Sequence, residues 1–190
     1  MSRYKEPWGE GTPWSTSTAF FTYLRGCLRK AWSRHPSKLN LLKKMRKQIP
    51  NPNPRGNKAT VWGATCAMCG NDFVIKDIQV DHIVPAGQLN KTEDIQGFVE
   101  RLLYVREEDL RCCCKNCNNA LALSERMGIS FEQALIQKQI IALQKNKQDI
   151  DFIRNKGYTP ASNQAKRKQQ LIDILTKEQG KPAEEKQNAL

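Results

Sequence analysis

No stretch of the 190-residue chain is apolar for long enough to span a bilayer, which excludes a helical membrane protein. The first residues, Met-Ser-Arg-Tyr-Lys-Glu-Pro-Trp, lack the apolar segment of a secretory leader. The expected location is therefore a reducing cytoplasm. Acidic residues are nearly missing from residues 1–58, which hold 13 Lys or Arg against 2 Glu. Residues 59–120 reverse the balance with 6 against 9, and residues 121–190 hold 12 against 8. Most of the formal net charge of +12 thus lies at the amino-terminal end. Such a distribution suits a polyanion clamp beside a centre acidic enough for a divalent cation.

In a reducing compartment, seven cysteines point to metal rather than disulfides. Four of them form two Cys-x-x-Cys pairs, Cys66 with Cys69 and Cys114 with Cys117. That spacing matches a tetrahedral structural zinc site, closed by four sulfurs and lacking the open position a catalytic metal needs. Cys27 is expected as a small hydrophobe on the buried face of a helix, and Cys112 and Cys113 carry no assigned role. Between the pairs runs Ile78-Gln-Val-Asp81-His82-Ile-Val-Pro85. His82 has the intrinsic pKa of a general base near neutrality, and Asp81 offers the hard oxygen that Mg²⁺ or Mn²⁺ prefers. His35, just before Pro36, reads as a capping or surface residue.

Four segments are expected: a basic helical arm over 1–58, a metal-binding centre over 59–127, a helical extension over 128–179 and a disordered polar tail over 180–190. In the arm, Ser15 or Ser17 caps a helix to about Arg34 whose apolar stripe is Phe20, Leu24, Cys27, Leu28 and Ala31. A second helix over 38–48 carries Leu42, Met45 and Ile49 inward, against the first helix. Arg25, Arg29, Lys30, Arg34, Lys43, Lys44, Arg46 and Lys47 fall off these stripes and are the candidate nucleic-acid contacts. The prolines at 50, 52 and 54 with Gly56 read as a linker. Short strands follow at 61–65, 73–75 and 78–83, then a helix over 90–104, a return strand over 107–112 and a helix from the second knuckle to about Met127. Ser130 and Gln133 form a capping box for a helix to about Gln148. Residues 151–156 make another turn, and Pro160 starts a last helix to Leu175. Trp8, Trp14, Trp32 and Trp62 serve either as core or as stacking platforms for bases.

Asp81-His82-Ile-Val-Pro85, with the flanking knuckles and Leu110-x-x-x-Cys114-x-x-Cys117-Asn118 downstream, resembles the HNH endonucleases of the ββα-metal fold. The leading stretch Tyr23-Leu-Arg-Gly-Cys-Leu-Arg-Lys-Ala-Trp-Ser-Arg is similar to the version often encoded by bacteriophages, and the likeness covers residues 20–127. It implies an α+β protein with a zinc-stapled ββα-metal centre, basic amino-terminal helices and a helical carboxyl-terminal extension. It further implies cleavage of DNA, in homing or phage DNA processing, leaving 5′-phosphate and 3′-hydroxyl ends. By the same likeness His82 is the general base, and Asp81 and Asn118 bind a catalytic Mg²⁺ or Mn²⁺. Asp109 stands where many members have the Asn that pins the loop of the base, and Leu121 where many have Lys. An ionised Asp accepts a pinning hydrogen bond but cannot donate one.

Residues 150–175 faintly resemble the helix, extended segment and helix of SAP-type DNA-binding modules. Two rival readings stand beside the enzyme: a non-catalytic zinc-dependent DNA-binding protein derived from such a nuclease, and a protein-binding adaptor.

Overall fold

The computed structural model describes residues 5–54 and 58–179, and these form a mixed α+β protein with two compact units, Met1–Lys115 and Asn116–Leu190. Among the described residues no helix is long and apolar enough to cross a membrane.

In the first unit, α1 (Ser17–Ser33) is capped by the side chain of Thr16, which accepts from the Ala19 N–H, rather than by Ser15 or Ser17. The extended backbone of Thr16 is what places its hydroxyl under the orphan amides of the first turn. Helix α2 (Pro36–Met45) starts on Pro36, whose missing N–H costs nothing at that position. It ends three residues earlier than the periodicity suggests, because Lys47–Pro50 becomes strand β1. β1 pairs antiparallel with β2 (Thr60–Thr65), which pairs with β3 (Asp72–Val74). Pro50 ends β1, and Pro52 and Pro54 lie in the connection between β1 and β2. The two compact units divide between Lys115 and Asn116.

A 3-10 turn at Ile75–Asp77 leads into β4 (Ile78–His82). Helix α3 (Asp94–Leu103) begins later than expected, where the Asp94 carboxylate accepts the N–H groups of Asn90 and Lys91 and fixes the approach. A second 3-10 turn, Glu107–Asp109, displaces the start of the return strand, so that β5 is Leu110–Cys114. β4 and β5 form an antiparallel ribbon in which Asp81 faces Arg111 and His82 faces Leu110.

Two apolar clusters hold this unit. In one, Phe21 from α1 meets Leu89, Phe98 and Leu102, with Leu24, Leu28 and Trp32 packed alongside. The working stripe of α1 is thus Phe21, Leu24, Leu28 and Trp32, which leaves Cys27 exposed rather than buried. In the other, Leu41 from α2 joins Ala64, Ile78, Val80, Leu110 and Cys112. Helix α2 therefore covers the ribbon, with Trp32 of α1 packed on the same cluster: a two-stranded sheet with one apolar face must bury it against a neighbour.

The second unit is helical. α4 (Lys115–Met127) packs on α5 (Phe131–Lys145) through Ala120, Leu123 and Ala134. The Ser130–Gln133 capping box opens α5. α6 (Asp149–Asn155) ends before Gly157, whose positive φ of 81° suits a residue without Cβ. α7 (Gln164–Gln179) begins four residues after Pro160. The Arg167 guanidinium binds the Ala161 and Ser162 carbonyls and the buried Asp149 carboxylate, so 161–163 is held outside the helix and Asn163 becomes the cap. Ile136, Ile140, Ile153, Leu171, Ile174 and Leu175 make one core of α5, α6 and α7. The helix, extended segment and helix of 149–179 thus share a core with α5 and do not form a separate module. The tail expected at 180–190 lies outside the described residues, as do residues 1–4 of the arm.

Gly63, in the middle strand of the three-stranded sheet, has no room for a side chain: a Cβ there would overlap Ile49 and the Phe73 carbonyl oxygen. Gly63→Ala should destabilise the protein by about 1–3 kcal/mol, as overpacking does. Denaturant titration checks this, and unchanged stability would contradict the tight packing of β1 against β2.

Candidate functional site

Cys66 follows β2, and its N–H and carbonyl are tied to Asn71 and Gly70, closing a tight knuckle with Gly70 at φ 72°. The Ala67 N–H donates to the Cys112 carbonyl and so fastens that knuckle to β5. Cys114 ends β5, and Cys117 lies on the first turn of α4. The four sulfurs of Cys66, Cys69, Cys114 and Cys117 all lie within 4.8 Å of one another, with Cys69 alone exposed. A tetrahedral ion with bonds of about 2.3 Å to sulfur needs separations of about 3.8 Å, so small side-chain adjustments suffice. This is a cluster able to coordinate a metal ion.

Cys66 and the two neighbouring cysteines outside the cluster, Cys112 and Cys113, differ in protonation. Burial raises the Cys66 thiol, but N–H groups of Cys114, Cys69 and Met68 aimed at its sulfur outweigh that and bring it down to about 6. It is therefore a thiolate at neutral pH, the form that binds metal. Cys113 is wholly buried on β5, and burial pushes its thiol up to about 12. Burial, with the charge of Cys66, also raises Cys112, which sits in the apolar cluster. Both are protonated core residues.

The Asp-His pair stands at the end of β4, where the two side chains take opposite faces of the ribbon. His82 turns inward and is 8% exposed, with its ring centroid 4.2 Å from that of Trp32. Its Nε2 lies 3.1 Å from the Leu102 carbonyl oxygen, an acceptor only, so Nε2 carries the proton and Nδ1 keeps its lone pair. Burial lowers the His82 pKa below its ordinary value; the Leu102 carbonyl and Asp81 oppose the shift, while His35 and Lys38 reinforce it. The ring is thus neutral at pH 7. It lines a cavity of about 430 Å³ together with Ile83, Glu100, Arg101, Tyr104 and Asp109.

Asp81 faces the other way and pairs with Arg111, its cross-strand neighbour, at 3.1 Å. Sequence reading did not find Arg111 as the partner of Asp81. The signal was the ribbon register, which places the two residues opposite one another only once both strands are known. Asp109 is held differently from expectation. Its carboxylate accepts the Arg106 N–H at 2.8 Å, while its backbone carbonyl accepts the Ile83 N–H at 2.9 Å. The segment after His82 is therefore pinned by main chain, which leaves the side-chain identity at 109 free of that task. Asn118 lies half-buried on the first turn of α4, directly after Cys117. His35, expected only to cap or face solvent, is half-buried; its Nε2 lies 3.0 Å from the Leu103 carbonyl and its Nδ1 is buried without a partner.

Of the candidate nucleic-acid contacts, Arg29, Lys30, Arg34 and Lys43 are exposed and make no ion pair among the described residues. Lys44 bridges to Glu107, Lys47 to Asp72, and Arg46 stacks 4.8 Å from the centre of the Trp62 ring. Arg25 turns inward, donating to the Leu89 carbonyl. Trp8 and Trp14 pack on Phe20, and Trp32 packs on His82. Trp62 is left about half exposed.

The fold and site define an α+β protein with a four-cysteine metal-coordinating cluster. Comparison with known proteins adds nothing to this, since no family model, curated protein or solved structure matches the chain.

Two outcomes are expected. Elemental analysis of folded protein should find one ion per chain, lost together with the fold around β2 and β5 in Cys66→Ser but retained in Cys27→Ser. In divalent-free buffer the His82 imidazole, followed by NMR, should titrate below 6.5. Because the unfolded chain then binds the extra proton more readily, stability should fall as pH drops from 6.5 towards that lower value. Trp32→Ala, which admits water to the ring, should move the titration back up. A midpoint at or above 6.5 in both proteins would contradict the burial of the base.

Proposed function

We propose that the protein is a divalent-metal-dependent endonuclease of the HNH type, with a zinc-stapled ββα-metal centre, hydrolysing DNA phosphodiester bonds. The observation that carries this reading is His82, a neutral imidazole whose tautomer is fixed by the Leu102 carbonyl, next to Asp81 in the chain and lining a solvent cavity. β4, β5 and α4 occur in the order strand, strand and helix, with α3 inserted between the two strands, Asp81-His82 ending the first strand and a Cys-x-x-Cys pair at the junction of the second strand with the helix. Zinc suits the four-cysteine cluster because four sulfurs make a soft, closed, tetrahedral set.

Hydrolysis of a phosphodiester needs a base on water and positive charge on the phosphate. In this reading the Nδ1 lone pair of His82 takes the proton from the attacking water, and Nε2–H, held by the Leu102 carbonyl, keeps the ring aimed. Asp81 and Asn118 are the residues that would hold a Mg²⁺ or Mn²⁺ ion, which when bound neutralises charge on the phosphate. Arg29, Lys30, Arg34 and Lys43, whose charges no carboxylate among the described residues shares, supply counterion-releasing contacts to the backbone.

One observation favours a second reading, a DNA-binding zinc protein that has lost cleavage. Arg111 already neutralises Asp81, and a guanidinium in that place competes with a divalent ion. Plasmid cleavage decides between the two. Wild-type protein should cut in Mg²⁺ or Mn²⁺, and His82→Ala should be slower by about 10² to 10⁴ with DNA affinity retained. Zinc-loaded, DNA-binding protein that cuts neither single nor double strands would leave the non-catalytic reading.

A further inference from the structure

The second unit holds a groove unconnected with the Asp-His pair. Asn116 and Asn119 stand three residues apart on α4, as neighbours on the helix surface. Leu135, Lys138, Gln139 and Ala142 share one face of α5, spaced three, four and seven residues from Leu135. These six residues line a cavity of about 540 Å³, within the range of about 300–1,000 Å³ typical of small-ligand pockets. None of the four polar side chains makes a hydrogen bond or ion pair among the described residues. Other polar side chains of this unit are engaged, Ser124 with Ile129, Gln133 with Ser130, Gln170 with Ala161, and Arg167 with Asp149, while the Gln144 amide nitrogen is buried without a partner among the described residues.

The chemistry of the lining restricts its occupant. Three amides present donors and acceptors side by side, which suits the edge of a nucleobase; Asn and Gln pair bidentately with adenine. Lys138 is the single charge, a point cation for a single anion, and no carboxylate opposes it. Leu135 and Ala142 give an apolar floor for a flat ring or a sugar. One negative charge, a hydrogen-bonding edge and an apolar face together describe a nucleotide. We propose that this groove between α4 and α5 is a subsite for one nucleotide of a DNA strand, with Lys138 on the phosphate and Asn116, Asn119 and Gln139 on the base. The proposal rests on DNA being the substrate. It adds a base-reading site on the helix that carries Asn118, where a phosphate-only clamp would be indifferent to sequence.

Binding of labelled oligo-dA and oligo-dT, measured across salt with full-length zinc-loaded His82→Ala protein and no added Mg²⁺ or Mn²⁺, tests the subsite apart from cleavage. Lys138→Gln should weaken both complexes and flatten the slope of log affinity against log salt by about 0.7, the single-strand value for one phosphate, while Lys138→Arg keeps the slope. Asn119→Ala combined with Gln139→Ala should erase a preference for dA over dT of about fivefold or more. All these residues are exposed or half-buried, so unchanged zinc content and circular dichroism will show that the variants fold. The subsite is overturned if affinity, slope and preference match the parent in every variant, if the parent binds neither oligonucleotide, or if an acidic peptide and not a nucleotide displaces the probe through Lys138. Cleavage of plasmid by wild type alongside unaltered variants would sink the subsite alone. Altered variants in a protein that never cuts would sink the enzyme reading alone.

Discussion

Four sulfurs brought within 4.8 Å of one another are the constraint on which the local structure turns. They gather the end of β2, the end of β5 and the first turn of α4. Thiolates gathered so closely would repel one another, and a bound cation would remove that repulsion. The N–H groups aimed at the Cys66 sulfur show the backbone already arranged around negative charge. The ribbon register follows from this anchor, because Cys114 at the end of β5 sets which residue faces Ile78, and so which faces Asp81 and His82.

The ribbon delivers its chemistry by alternation. With a side-chain period of two, Ile78, Val80 and His82 go to the apolar face, and Gln79 and Asp81 to the other. His82 thereby takes the place of a core residue, under Trp32 and against the end of α3. Both histidines of the chain use an Nε2 on a carbonyl of that helix end, His82 on Leu102 and His35 on Leu103. The negative end of a helix dipole would raise an imidazole pKa. For His82 burial wins, and the ring stays a neutral base.

Basic residues that look alike in sequence have unlike roles. Arg25 is committed to the Leu89 carbonyl, Lys47 to Asp72, and Arg46 to the face of Trp62. Exposed surface pairs of this kind add little stability. Their consequence is rather that the polyanion-binding capacity of the amino-terminal stretch rests on fewer side chains than its charge count suggests.

Much was legible in the sequence because it depends on neighbours within a few residues. The Cys-x-x-Cys pairs, the capping box at Ser130, the glycine stop at 157, the run of β4 and most helices are of this kind. Their geometry follows from local backbone rules that tertiary contacts did not override. Three outcomes required the fold. Strand β1 formed from residues of helical pattern because β2 offered it an antiparallel edge across the proline stretch. Cys27 turned out to solvent because Phe21, Leu24, Leu28 and Trp32 of α1 turn to the cluster shared with α3. Asp81 met Arg111, thirty residues away, because an antiparallel register put them face to face. The sequence by itself determined which residues carry chemistry and which lengths of chain are regular. Only the tertiary structure decided which charges are spent on one another and which ring nitrogen keeps its lone pair, since both depend on distances between residues far apart in the chain.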